Sequence, residues 1–221
     1  MCKTFKLLSF FNIMKQQKIW DNIAKPWKSF RVKPLEEVQE FLKTKKGNIL
    51  DLGCGTGRNL AKIQGTIYAV DFSEKMIKYV KEYSKKNKIK AEFIKASADS
   101  LPFKNNFFDS AIFIAVLHCI ETKEKREKTL KELLRVLKPN SEALISVWDY
   151  NQERFKDSEN ESFIPWKHEK KEYMRYYYLY DKQEFIDLLK KVGFKIIKVM
   201  DKNNSNGFYS KKNLIAIVKK S

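Results

Sequence analysis

Asn48-Ile-Leu-Asp-Leu-Gly-Cys-Gly-Thr-Gly57 is the stretch on which the fold turns. Its apolar run, Asn48 to Leu52, reads as a buried strand, and three glycines spaced G-x-G-x-G follow at once. Glycines at that point let the chain turn sharply and let a ligand approach main chain that side chains would block. A short helix over about Arg58 to Ile63 is expected next, then a second buried strand, Thr66-Ile-Tyr-Ala-Val70, ended by Asp71. Asp71 lies 20 residues after Asp51, where a carboxylate at the tip of the second strand accepts the ribose hydroxyls of an adenosine cofactor. A dinucleotide fingerprint would run G-x-G-x-x-G, and an acid directly ahead of the glycines repels phosphate. Asp51 suits instead a cationic ligand bearing an ammonium.

Outward from this unit the alternation continues. Leu35, Val38, Phe41 and Leu42 give the spacing of an amphipathic helix after Pro34, and Ser73 is placed to cap a helix carrying Met76, Ile77 and Val80. Strands are expected at Ala91–Lys95, Ser110–Val116 and Ala143–Val147, with a charged helix from Lys123 to Leu137 between the last two. A helix from Lys182 to Val192, a turn at Gly193 and strands Phe194–Met200 and Leu214–Val218, read as an antiparallel pair, close the chain. Strand and helix in alternation imply an α/β fold with a mostly parallel sheet covered on both faces. Residues 149–180, polar and then aromatic, break the rhythm and are expected to form an insertion over the sheet's edge, a substrate-binding lid on a domain spanning 19–221.

Composition bounds the function. The 221 residues hold 45 Lys+Arg against 27 Asp+Glu, a net charge of +18, with 43% hydrophobic and 14% aromatic residues, enough to close a core. Such a surplus serves a solvated surface or attracts a polyanion such as nucleic acid. No apolar run of about 18 residues is available to span a bilayer as a helix. Cys2, Cys54 and Cys119 are too few and too scattered for a disulfide framework or a metal knuckle, so no metal site is expected and a reducing cytoplasm is the expected compartment. Residues 1–18 read as a disordered N-terminal extension, and Met14 suggests that 1–13 are an appendage.

The motifs together resemble the class I S-adenosylmethionine-dependent methyltransferases. Asp51 to Gly57 matches their first motif, Asp71 their ribose acid, Asp99 in Ser97-Ala-Asp-Ser-Leu-Pro-Phe103 their adenine-flanking acid, and Phe107-Phe-Asp-Ser-Ala-Ile112 their fourth-strand motif. The resemblance implies a Rossmann-like fold on a seven-stranded sheet. It also implies S-adenosyl-L-methionine held by Asp51, Gly53, Cys54, Gly55, Asp71, Phe72, Asp99, Ser100 and Ala115.

Within that class the sequence is similar to the tRNA wobble-uridine carboxymethyl methyltransferases, including the methyltransferase portion of AlkB-type proteins. Ile19-Trp-Asp-Asn-Ile-Ala24, Phe113-Ile-Ala-Val-Leu-His118, Val147-Trp-Asp-Tyr-Asn-Gln-Glu153, Ile164-Pro-Trp166 and Tyr173-Met-Arg-Tyr-Tyr-Tyr178 carry the likeness. Lys33-Pro-Leu35, Phe30 and Cys119 depart from the branch's pattern, as does the stretch Asn203 to Phe208. The resemblance implies methyl esterification of 5-carboxymethyluridine in the tRNA anticodon, with Arg31 orienting the acceptor carboxylate and His118 at the acceptor side. Trp148, Trp166 and the tyrosine cluster are open to two readings, stacking a splayed anticodon base or packing in the core, and the flanking Arg154, Lys156, Lys167, Lys170, Lys171 and Arg175 favour a phosphate-tracking surface. A small zinc-binding activator is expected along the edge strand at residues 89–95. Three other readings stay open at this point: a methyltransferase for a small molecule such as a quinone or lipid precursor, a cofactor-binding module without turnover, and a dinucleotide-dependent reductase.

Overall fold

The computed structural model describes residues 16–205 and 207–221. The proposed appendage, residues 1–13, lies outside them. Helix α1 (Gln16–Phe30) begins inside the expected extension, so Gln16, Gln17 and Lys18 form its first turn. Gln16 is buried and ties that turn to the later hairpin, donating to the Met174 carbonyl at 3.3 Å and accepting from the Tyr176 N–H at 3.1 Å.

The rest follows in order: α2 (Glu36–Leu42), β1 (Lys46–Leu52), β2 (Gln64–Asp71), α3 (Glu74–Asn87), β3 (Ala91–Lys95), β4 (Phe108–Ile114), α4 (Lys123–Val136), β5 (Leu137–Trp148), β6 (Glu161–His168), β7 (Lys171–Tyr178), α5 (Lys182–Val192), β8 (Phe194–Met200) and β9 (Asn213–Lys220). Seven strands form one sheet in the order β3-β2-β1-β4-β5-β9-β8. The first five are parallel, and β9 runs antiparallel to both β5 and β8. This is the Rossmann-like arrangement expected, closing pair included.

Alternation within each strand feeds two cores. Leu50, Leu52, Phe113, Ile145 and Leu214 pack beneath α4 and α5, with Leu130, Leu133, Phe185 and Leu189. Their neighbours Ile49, Ile67, Ile112, Leu144 and Ile215 pack on the other face with Val38 and Phe41 of α2 and Ile77 and Val80 of α3. Strands apolar on both sides are what a parallel sheet buried between helices requires. The caps read from sequence form: the Ser73 hydroxyl accepts from the Met76 N–H, and Gly193 ends α5 at φ 111°.

Two expectations need correction. Residues 58–63 form no helix. Six residues between Gly57 and β2 hold fewer than two turns, too short to offset helix nucleation. They are spent on turns instead, with the Leu60 N–H on the Gly57 carbonyl and the Asn59 side chain accepting from the Leu35 N–H. The segment 149–180 does not cover a lateral edge. It forms a separate two-stranded sheet, β6-β7, whose Tyr177 stacks on His118 after β4 and on Trp148 at the end of β5. It therefore lies over the carboxyl ends of the central strands. Its tip, Glu169-Lys170, has φ of 47° and 62°, both in the left-handed region that a type I′ hairpin demands, without the Asn-Gly that marks such turns in sequence.

Candidate active site

Strand β1 has β2 on one side and β4 on the other, the point at which the strand order reverses. Connections there leave in opposite directions and open a crevice at the carboxyl ends. The crevice is a cavity of about 260 Å³, floored by Gly53 to Thr56 after β1, Asp71 and Phe72 after β2, Ser97 to Asp99 after β3 and Ala115 and Val116 after β4. Trp20, Trp27 and Arg31 reach it from α1 and the turn after it, and Arg58 and Asn59 from the glycine loop.

The loop is held by main chain. The Gly53 and Cys54 N–H groups both donate to the Val70 carbonyl, at 2.7 and 2.9 Å, and the Gly55 N–H donates to Asp71 Oδ2 at 3.0 Å. Gly53 and Gly55 have φ of 72° and 54°. The two differ in what a methyl group would meet. At Gly53 a Cβ would lie 2.3 Å from Val116 Cγ2, whereas at Gly55 the nearest atom is Trp27 Nε1 at 3.9 Å, across the open crevice. Gly53→Ala combines left-handed strain with overpacking and should cost about 2–4 kcal/mol, a fall in melting temperature of roughly 5–15 °C for a chain of this size. Gly55→Ala bears the strain alone and should cost about 1–2 kcal/mol. Thermal melts of the two variants check this, and equal losses would contradict it.

Two buried acids face each other across this loop. Asp51 is 2% exposed, and its Oδ2 is buried with no hydrogen-bond partner. Burial, together with the Asp71 charge and against the pull of Arg58, raises its pKa to about 7. Asp71 is raised to about 6 by burial, although the Ser73 and Gly55 N–H groups favour its ionised form. A buried carboxylate oxygen without a hydrogen-bond partner suits a cationic donor. Asp99 stands at the far end of the cavity, its pKa lowered by the Ser97 hydroxyl and by Lys128 at 3.4 Å. These features fit an adenosyl ligand with an ammonium at one end. Asp71, Asp99, Gly53, Gly55, Cys54, Phe72 and Ala115 line the cavity, while Asp51 lies outside its lining, directly behind Leu52 and Gly53, which do line it. Cys54 does so as a neutral thiol, since burial raises its pKa. Ala115 has φ of 59°, and its N–H is fixed by both the carbonyl and the hydroxyl of Ser146. Ser100 is exposed and outside the cavity lining; its N–H closes the turn onto the Ser97 carbonyl.

The two residues expected at the acceptor side part company. Arg31 lines the cavity, stacked over Trp27 and Phe30 at 5.2 and 5.0 Å from the ring centroids. Its Nε is buried without a partner, and desolvation lowers its pKa. His118 is 1% exposed and does not line the cavity. It packs against both the Trp148 and Tyr177 rings, 5.2 Å from each, its Nδ1 accepting from the Trp148 N–H at 3.2 Å. Burial, then Arg154 and Arg175, push its pKa down to about 3, so it is a neutral packing residue and no base for chemistry at the cavity. Trp148 is likewise packed, stacked against Tyr177 at 4.3 Å, and has no free face for a nucleobase.

Sequence reasoning missed Trp27, Arg58 and Tyr209. Tyr209 shares a hydrogen bond of 3.0 Å with Ser146, and its neighbourhood with Arg31 and Arg58 raises the pKa of neither arginine above its ordinary value, since desolvation dominates both. Arg58 follows Gly57 directly, a signal that was available. Trp27 and Tyr209 carry no local mark.

Comparison with known proteins gives the arrangement its relatives. A methyltransferase-domain family matches residues 50–145. A tRNA (carboxymethyluridine(34)-5-O)-methyltransferase of Arabidopsis thaliana is 35% identical over 139 residues, 62% of this chain and 33% of the relative. The enzyme of that name from Schizosaccharomyces pombe is 28% identical over 207 residues, covering 81% of this chain and 88% of the relative. The chain thus spans about a third of the length of the Arabidopsis relative. Among solved structures, a SAM-dependent methyltransferase of Methanosarcina mazei superposes with a TM-score of 0.67 at 20% identity, covering 85% of this chain and 98% of that one. A Haloferax volcanii chain solved in complex with the Trm112 methyltransferase activator gives 0.69 at 14% identity, covering 95% and 97%. At such identities the structures speak for the fold alone. The family match falls on β1 to β5, the strands whose carboxyl ends build the crevice, so the chain carries a methyltransferase domain on the fold of the class I S-adenosylmethionine-dependent methyltransferases.

Proposed function

We propose that this protein transfers the methyl group of S-adenosylmethionine to the carboxylate of 5-carboxymethyluridine at the wobble position of tRNA. The observation that carries the reading is Arg31, a guanidinium stacked at the cavity with an orphaned Nε and, among the described residues, no carboxylate partner. When bound, the cofactor supplies an electrophilic methyl on a sulfonium. The chain supplies position: Asp51 holds an ammonium, Asp71 the ribose hydroxyls, and the loop from Gly53 to Gly55 a main-chain cradle. Arg31 orients the acceptor, its planar fork suiting a carboxylate. A carboxylate is already ionised at neutral pH, so no general base is needed. The neutral, buried His118 accords with that economy. Attack then depends on alignment at near-attack distance.

The named relatives of Arabidopsis and fission yeast support tRNA as the acceptor, and the surplus of positive charge supports binding to RNA. A small-molecule acceptor is disfavoured by the extra guanidiniums around Tyr177. Among the described residues no helix is long and apolar enough to cross a membrane. The proposed tRNA acceptor supports a cytoplasmic location. A small zinc-binding activator is proposed along β3, which among the described residues is an outer strand paired only with β2. The Haloferax complex supports that kind of partner for this fold. A chain that is soluble and fully active alone would remove the activator from the account.

The test is to incubate the protein, with and without activator, with methyl-labelled cofactor and total tRNA, then digest to nucleosides. Label is expected in a methyl ester that mild alkali releases as methanol. Label on a base ring or a ribose would overturn the acceptor while leaving the fold untouched.

A further inference from the structure

Three guanidiniums are interleaved with aromatic rings in one continuous stack above the crevice. Arg31 lies over Trp27 at 5.2 Å, and Arg175 lies over the same Trp27 at 5.8 Å. Arg175 also lies over Tyr177 at 5.1 Å, Tyr177 stacks on Trp148 at 4.3 Å, and Arg154 lies over Trp148 at 4.2 Å. The elements that meet here are distant in sequence: α1 and the turn after it, β7, the end of β5, and the short turn after β5.

Among the described residues none of these arginines has an ion-pair partner. Glu153, next to Arg154, is taken by Lys156 at 3.2 Å, and the one arginine paired to an acid in the chain's described part is Arg135, with Glu132. Arg175 is 5% exposed, its Nη1 donating to the Tyr177 hydroxyl at 2.8 Å and its Nε buried without a partner. The Arg175 charge adds to the lowering of the Arg31 pKa, and the Arg31 and Arg175 charges both add to the lowering of the Arg154 pKa. Half-buried like charges without counter-charge are costly unless an anion completes the site. Stacking fixes the planes of the guanidiniums and leaves their N–H edges to meet oxygen anions.

Resting on the acceptor proposed above, we propose that Arg154 seats a phosphodiester of the acceptor nucleotide while Arg31 takes its carboxylate, so that 5-carboxymethyluridine is accepted only within an RNA chain. Arg154 is exposed and stacked on Trp148 and Phe155, so its edge is open to solvent. Arg175, between the two, is a positioning residue that holds Tyr177 and keeps the seat positive. A nucleotide in a chain offers two anionic groups, matching the two ends of the stack. A free nucleoside offers one and leaves Arg154 uncompensated.

Two measurements test this. First, anisotropy titrations of a labelled anticodon stem-loop RNA without cofactor compare Arg154→Gln with Lys86→Gln, a charge-matched change on α3. Arg154→Gln is expected to weaken binding about tenfold or more and to reduce the slope of log affinity against log salt by about one. Arg154→Lys, which keeps the charge and loses the fork, should retain the slope. Second, kcat/KM of the unaltered protein for the carboxymethylated stem-loop should exceed that for the free nucleoside at least about a hundredfold, as two lost charge-assisted bonds imply. The seat is overturned if Arg154→Gln behaves as Lys86→Gln does, or if the nucleoside is esterified as well as the RNA, in which case the proposed reaction itself still stands. If neither substrate is esterified yet the binding contrast holds, the reaction falls and the phosphate seat remains.

Discussion

Asp51→Asn is expected to be more stable than the parent protein at pH 8 and to have lost nearly all hold on S-adenosylmethionine. Asp51 is 2% exposed, its Oδ2 has no partner, and burial raises its pKa to about 7 from the ordinary value of 3.8. A carboxyl group whose folded pKa is raised binds its proton more tightly in the native state than in the unfolded one. Its stabilising contribution is therefore complete below about pH 4 and is lost as pH rises through about 7. Above that, the ligand-free protein carries an ionised, desolvated carboxylate at a cost that an amide of the same shape avoids. The stability gap between variant and parent should be widest above pH 7 and close as pH falls towards 4, at up to about 1.4 kcal/mol per pH unit. Urea titrations at several pH values check it. A variant less stable than the parent at pH 8 would show that Asp51 is ionised and well compensated without any ligand.

The same group sets affinity. An ammonium beside Asp51 needs the ionised form, so binding of S-adenosylmethionine by the parent should weaken as pH falls below about 7, and more steeply once Asp71, raised to about 6, protonates too. Removing one partner of a desolvated charge pair costs about 3–5 kcal/mol, so the amide should lower affinity by roughly two to three orders of magnitude. Calorimetry at pH 8 reads this directly. Undiminished affinity in Asp51→Asn would place the ammonium elsewhere.

Arg31→Lys should lower kcat for ester formation on a carboxymethylated anticodon stem-loop by about a hundredfold, with the dissociation constant for S-adenosylmethionine changing by less than about twofold. Lysine keeps the charge but loses the planar fork and its stacking on Trp27 and Phe30, so the acceptor carboxylate is still attracted but no longer held in line. Arg31 comes from the turn after α1, whereas the acids proposed to hold the donor stand at the ends of β1 and β2, which is why the effects should separate. Single-turnover kinetics beside equilibrium binding distinguish them. Turnover equal to that of the parent protein would end Arg31's role in orienting the acceptor.

The legible parts of the site are those built within one stretch of chain. Asp51, the glycines and Asp71 could be read because a strand, a turn and the next strand enforce a fixed spacing, and the Ser73 cap needs only its own helix. The helix expected after Gly57 failed because apolar spacing says nothing of how few residues β2 leaves free. The hairpin was hidden because Glu169 and Lys170 adopt left-handed conformations that glycine or asparagine would have advertised. His118 resembled an acceptor-side residue from its place after β4, but its burial against Trp148 and Tyr177 depends on a hairpin that returns some 60 residues later.

Local periodicity and glycine spacing by themselves determined the parallel sheet, the cofactor loop and its acids, since these are matters of neighbouring residues and strand order. Only the tertiary structure decided the cationic stack, which joins Trp27 and Arg31 to Trp148, Arg154, Arg175 and Tyr177. No spacing rule links such positions. They meet because β7 is anchored on α1 through Gln16 and laid across the carboxyl ends of β4 and β5, where the same burial that neutralises His118 leaves the guanidiniums without counter-charge.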